Sequence, residues 1–108
     1  MKKLLENQKL ILKYKEGFGT WTYHLVIPGT KSIKGTWGSM KVIGKIDDYI
    51  IKNLNLAPRK DEDKIISINK DIRKAIQKDA GDEVIVSLFL LDWSDDEKDI
   101  EHIYKSLN

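Results

Sequence analysis

Two histidines, His24 and His102, are the only imidazoles in the chain. Base or nucleophile-activating chemistry near neutral pH would have to start from one of them. His24 lies in an aromatic run between Tyr23 and Leu25, and His102 falls on a charged tail segment. A strand histidine is more often a packed side chain than a base or ligand. There is no cysteine, which excludes disulfides, thiolate nucleophiles and zinc–thiolate sites. Arg59 and Arg73 are the only arginines among 19 basic residues, and arginine suits bidentate contact with carboxylate or phosphate. The structural alternative for Arg73 is an ion pair with Asp79, Asp82 or a neighbouring acid. Trp21, Trp37, Tyr14 and Tyr23 interleave with Lys13, Lys15, Lys31, Lys34 and Lys41. That mixture is compatible with a binding face, although barrel-strand aromatics are usually core. Trp37, flanked by glycines in a loop, is the aromatic most expected at the surface or as a lid.

Several chemistries find no support. The acids 61–63 and 95–97 are sequential, so their side chains diverge and chelate poorly; they read as solvated charge runs. No calcium-loop pattern, GxxxxGK[ST] or GxGxxG is present. No complete nucleophile, base and orienter set can be assembled. Charge is uneven: residues 1–60 carry 12 Lys and Arg against 4 Asp and Glu, a net +8. Residues 61–108 carry 7 against 13, a net −6. The basic half can attract phosphate or an acidic partner, unless the halves interleave and neutralise each other.

These residues must be positioned by a small domain. At 108 residues, 41% hydrophobic and 33% charged, the chain is expected to form one soluble domain over residues 1–108. Residues 9–15, 20–27, 39–46, 49–56, 64–68 and 83–91 read as six strands by alternation and β-branched content. Asp47-Asp48 reads as a hairpin turn. Residues 83–91 are the most hydrophobic and should be central. Asn69 caps a short helix from Lys70 that carries Ile72, Ala75 and Ile76 on one face. The segment 79–82 should end it, with Gly81 suited to a left-handed position. In the tail, Ser94 and Glu97 read as a capping box. Ile100, Ile103, Tyr104 and Leu107 then mark an amphipathic helix over about 94–107. Six strands with a helix before the last predict a mainly β chain, a small closed or half-closed barrel over about 9–92. No leader or membrane-spanning segment is read, so the expected compartment is the cytoplasm.

The segments 68–76 and 80–86 resemble the strand, short helix, Gly-Asp turn and strand of AbrB-type transition-state regulators and MazE-type antitoxins. The larger span, with residues 21–28, Trp37-Gly38 before 40–46, and Arg73 followed by Gly81-Asp82, resembles another family. That is an uncharacterised bacterial small-domain family with a double-split β-barrel fold, often found beside a YdeI/OmpD-associated domain. The resemblance implies a six-stranded double-split barrel with the tail helix in place of the fused domain, and it transfers no catalytic residue.

The favoured expectation is a non-enzymatic binding domain with no cofactor and no metal, acting on a protein or small molecule as a monomer or weak homodimer. The alternatives are an AbrB-like DNA-binding regulator and a small-molecule binder or enzyme using a barrel-end pocket. Nucleic acid is the less favoured partner, and no membrane partner is expected. The candidate binding residues are Trp21, His24, Trp37, Lys41, Arg59 and Arg73. A buried His24 with a carboxylate or arginine neighbour would favour the pocket reading.

Overall fold

In the computed structural model, residues 1–35, 40–91 and 96–107 are described. They form seven strands in two antiparallel sheets, with two helices. The four-stranded sheet has the order β1 (Lys2–Ile11), β7 (Glu83–Leu90), β4 (Lys41–Ile46), β5 (Tyr49–Asn55). The three-stranded sheet is β2 (Lys13–Tyr14), β3 (Tyr23–Val26), β6 (Ile65–Ser67). As expected, the most hydrophobic strand, β7, is interior.

The mainly β reading holds; of the expected closed or half-closed barrel with six strands, the described residues show seven strands in two sheets and no closed barrel. The first expected strand is interrupted at Leu12, which is buried. Its N–H donates to the Asp82 carbonyl at 2.9 Å, and its carbonyl accepts from the Gly81 N–H at 2.8 Å. The chain thereby turns from β1 in one sheet to β2 in the other. Gly81, at φ 92, provides this docking rather than a helix stop.

β1 also begins seven residues earlier than expected. In residues 2–8 only Leu5 is buried, so alternation gave no signal; the pairing comes from β7. Two register shifts accommodate the irregularity, and Asn7 takes φ 46 beside the second. A second crossing between sheets lies after β5. Leu56 N–H reaches the Met40 carbonyl, and Ala57 bridges Ile65 of β6.

The β4–β5 hairpin forms at Asp47-Asp48 as expected, with Ile46 opposite Tyr49. Asp47 takes φ 49. It accepts from Ile85 N–H at 2.9 Å and pairs with Lys78 at 2.9 Å. Helix α1 (Lys70–Ile76) starts at the expected cap, Asn69 Oδ1 accepting from Ile72 N–H at 2.9 Å. It ends at Gln77, itself left-handed at φ 57, earlier than the expected 79–82 stop.

One apolar cluster draws on both sheets and α1, including Leu12, Leu25, Ile46, Ile66, Ile72, Val86 and Leu88. Its mass comes from strand positions that alternate inward. Helix α2 (Glu97–Leu107) lies against β4 on the opposite face of the four-stranded sheet. There Lys45 Nζ donates to the Leu107 carbonyl at 3.1 Å and Lys52 Nζ sits 5.6 Å from the Tyr104 ring centroid. The α2 start differs from expectation. Asp99 N–H donates to Asp96 Oδ1 at 3.0 Å, and Asp96 N–H to Asp99 Oδ2 at 3.3 Å. Both Ser94…Glu97 and Asp96…Asp99 have the three-residue spacing of a reciprocal cap; the second is formed, and Ser94 lies outside the described residues. No helix among the described residues is long and apolar enough to cross a membrane.

Candidate functional site

Along β3, Leu25 points into the core, so His24 and Val26 face the other way. Their cross-strand partners on β6 are Ser67 and Ile65. This outer face is not left to solvent: His24 and Ile65 are both buried. Two connections cover it, the turn 15–21 and the loop 57–62.

The turn is closed by Lys15 N–H donating to the Thr22 carbonyl at 2.8 Å. Positive φ at Gly17 and Gly19 sharpens it. The expected strand 20–27 therefore starts only at Tyr23, because Gly19–Trp21 winds into one 3₁₀ turn. Ser67 Oγ donates to the Thr20 carbonyl at 2.6 Å and pins that turn onto β6. Phe18 then packs edge-on to His24, ring centroids 5.7 Å apart. On the other side, Arg59 pairs with Glu62 three residues on. Asp63 Oδ1 accepts from the N–H groups of Thr30 and Lys31 at 3.1 and 2.9 Å. The acids 61–63, expected as a solvated run, thus include two that hold the loop in shape.

Between turn and loop is a cleft of about 490 Å³. Phe18 and Trp21 line one wall, Pro58, Arg59 and Lys60 the other, with Ala57 and Ile65 beneath. Lys15 stands at the rim, its Nζ 4.9 Å from the Phe18 centroid.

His24 Nδ1 lies 2.8 Å from the Trp21 carbonyl. A carbonyl only accepts, so Nδ1 carries the hydrogen and Nε2 the lone pair. Burial lowers the His24 pKa below its ordinary value; the backbone hydrogen bond opposes this, and the charges of Arg59, Lys13 and Lys15 add to the lowering. The ring is neutral at neutral pH. Its orienting partner is a carbonyl rather than a carboxylate, and the charges acting on it are cationic, so it lacks the acid that stabilises an imidazolium during proton transfer.

Of the six candidate residues, the fold brings Trp21, His24 and Arg59 together. Arg73 is elsewhere: its guanidinium lies 3.6 Å from the Tyr23 ring centroid and its Nη1 donates to the Ile68 carbonyl at 2.7 Å. That replaces the expected ion pair with Asp79 or Asp82; Asp82 Oδ2 accepts from the Asp79 N–H instead. Lys41 is exposed at the start of β4 and does not line the cleft. Trp37 lies outside the described residues. The sequence reading missed Phe18, Glu62 and Ile65. An aromatic between two turn glycines, and opposite charges three apart in a loop, were the available signals for the first two. Among the described residues, no group of three or more His, Asp or Glu is placed to hold a metal ion.

Fold and cleft together define a small, mainly β domain with a mixed aromatic and cationic cleft. The chain belongs to the family described as a domain of unknown function, DUF1905, whose model matches residues 10–88. The matched span includes both walls of the cleft and ends before α2. No curated protein and no solved structure matches the chain.

Proposed function

We propose that the chain is a non-enzymatic cytoplasmic domain that binds a small molecule in the cleft between residues 15–21 and 57–62. The observation that carries this reading is the convergence of Trp21 and Arg59, 38 positions apart in sequence, over a buried His24. Ligand sites typically combine apolar walls with a few fixed polar groups in about 300–1,000 Å³. The absence of an acid among the charges that act on His24 supports binding over turnover. For architecture, the reading is a double-split six-stranded barrel, with β1 and β2 counted as one strand that passes between the sheets. Support comes from the crossings at Leu12 and Ala57, where a strand of one sheet continues into the other. The AbrB-like regulator reading is weaker, because Arg73 is committed to Tyr23 and Ile68 rather than to phosphate.

The test is a fragment screen on the isotope-labelled full chain, followed by amide chemical shifts. Saturable shifts concentrated at residues 15–24 and 57–65 are expected. Hits scattered over the four-stranded sheet would refute the assignment. So would salt-steep binding of duplex DNA with shifts centred on α1, and that result would favour the regulator.

A further inference from the structure

We infer that the cleft is selective for a flat aromatic monocarboxylate; this rests on the cleft being the binding site. Three features of its lining argue for that class.

The apolar surfaces are flat. Phe18, Trp21 and Pro58 line the cleft together with Ile65, and flat rings on its walls suit one or two fused rings better than a branched chain. Aromatic faces also favour stacked or edge contact with a second ring.

The cations are distributed over both walls. Lys15 stands on the turn side, and Arg59 on the loop side is held by Glu62 through Nη2. Arginine has five N–H donors in a rigid fork, so Glu62 orients the guanidinium and leaves donors for a second carboxylate.

Several lining backbone donors are already paired. Trp21 N–H goes to the Phe18 carbonyl, Lys15 N–H to Thr22 and Ala57 N–H to Ile65. Phosphate sites commonly add converging free N–H groups at a nest or helix start to their side-chain cations. No α-helix begins in the cleft lining, and Glu62 already pairs with Arg59, which suits one carboxylate better than a doubly charged phosphate.

Isothermal titration and amide shifts of the full chain would be recorded with 2-naphthoate, its neutral isostere 2-naphthamide, and inorganic phosphate. 2-Naphthoate is expected to shift the Phe18, Trp21 and Ile65 amides saturably. The amide should bind at least ~10-fold more weakly, and phosphate should leave those signals in place; a factor of ten is about 1.4 kcal/mol. Lys15→Glu should weaken 2-naphthoate by a similar factor while the Ile46 and Val86 amides keep their positions, which reports an intact fold. Equal binding of carboxylate and amide would overturn the anion requirement. Phosphate shifting the same amides as strongly would overturn the carboxylate class. Either result would leave the cleft as a binding site. If no probe moves the cleft amides but other fragments do, the inference fails and the binding reading stands; if no fragment moves them either, both fail.

Discussion

Gly44 sits in β4 where it pairs with Leu88 of β7, and both strands are interior. A Cβ built on Gly44 would lie 1.9 Å from the Ser87 carbonyl oxygen and 2.9 Å from its carbon. Close carbon–oxygen contacts in sheets are about 3.3 Å, so Gly44→Ala requires β4 and β7 to part by about 1.4 Å. The obstacle is backbone, which cannot rotate aside as a side chain can. Overpacking of this kind costs about 1–3 kcal/mol. Holding alanine at φ 156 adds roughly 1–2 kcal/mol, the low end for sparsely populated backbone regions. The expected loss is therefore about 2–5 kcal/mol, a large share of the 5–15 kcal/mol usual for a domain. With a urea slope of about 1.5 kcal/mol/M, the midpoint should fall by about 1.3–3.3 M. Gly81→Ala is the internal control. Gly81 also has positive φ, but an added Cβ meets nothing within 4 Å, so only the backbone cost, about 1–2 kcal/mol, applies. Urea unfolding followed by far-ultraviolet circular dichroism measures both. If Gly44→Ala costs no more than Gly81→Ala, the close approach of β4 and β7 is not what selects glycine there.

Because the His24 pKa is lowered in the folded state, the unfolded chain takes up a proton first as pH falls. Stability from this group is complete above the unfolded value near 6.5 and is lost as pH drops from there through the folded pKa. His24→Gln should flatten that part of the stability–pH curve, and a parallel curve would remove His24 as the source. Arg73→Ala should cost about 1–3 kcal/mol, from a cation–π contact and a charged hydrogen bond, without changing cleft titrations. A stability change under about 0.5 kcal/mol would show that the contact with Tyr23 carries nothing, as is common for surface substitutions. Ile43 is buried on the β4 face that α2 covers, opposite the core face of Val42. Ile43→Ala should cost about 2–5 kcal/mol in the full chain and much less in a chain truncated after Asp95; equal losses in a double-mutant cycle would mean α2 is not its cover.

Local interactions made much of this protein readable from its residues. The Asp47-Asp48 hairpin, the Asn69 cap and the apolar run of β7 depend on near neighbours in sequence, and each is found where alternation, capping and turn chemistry place it. The amphipathic tail was readable too, although two overlapping three-residue spacings hid which residue caps it. What could not be read is whatever depends on the second sheet. Residues 2–8 carry too little alternation to announce a strand, and become one because β7 offers an unpaired edge. The break at Leu12 exists because the Gly81–Asp82 turn, some 70 positions away, supplies both of its hydrogen bonds. The same distinction divides the candidate site. Residue types alone marked Trp21, His24 and Arg59 as capable of recognition, and Arg73 equally so. Only tertiary packing buried His24 beneath Phe18, set Arg59 beside Glu62 across from Trp21, and turned Arg73 away onto Tyr23. A side chain's chemistry is local, whereas its neighbours, solvent exposure and field are properties of the folded chain.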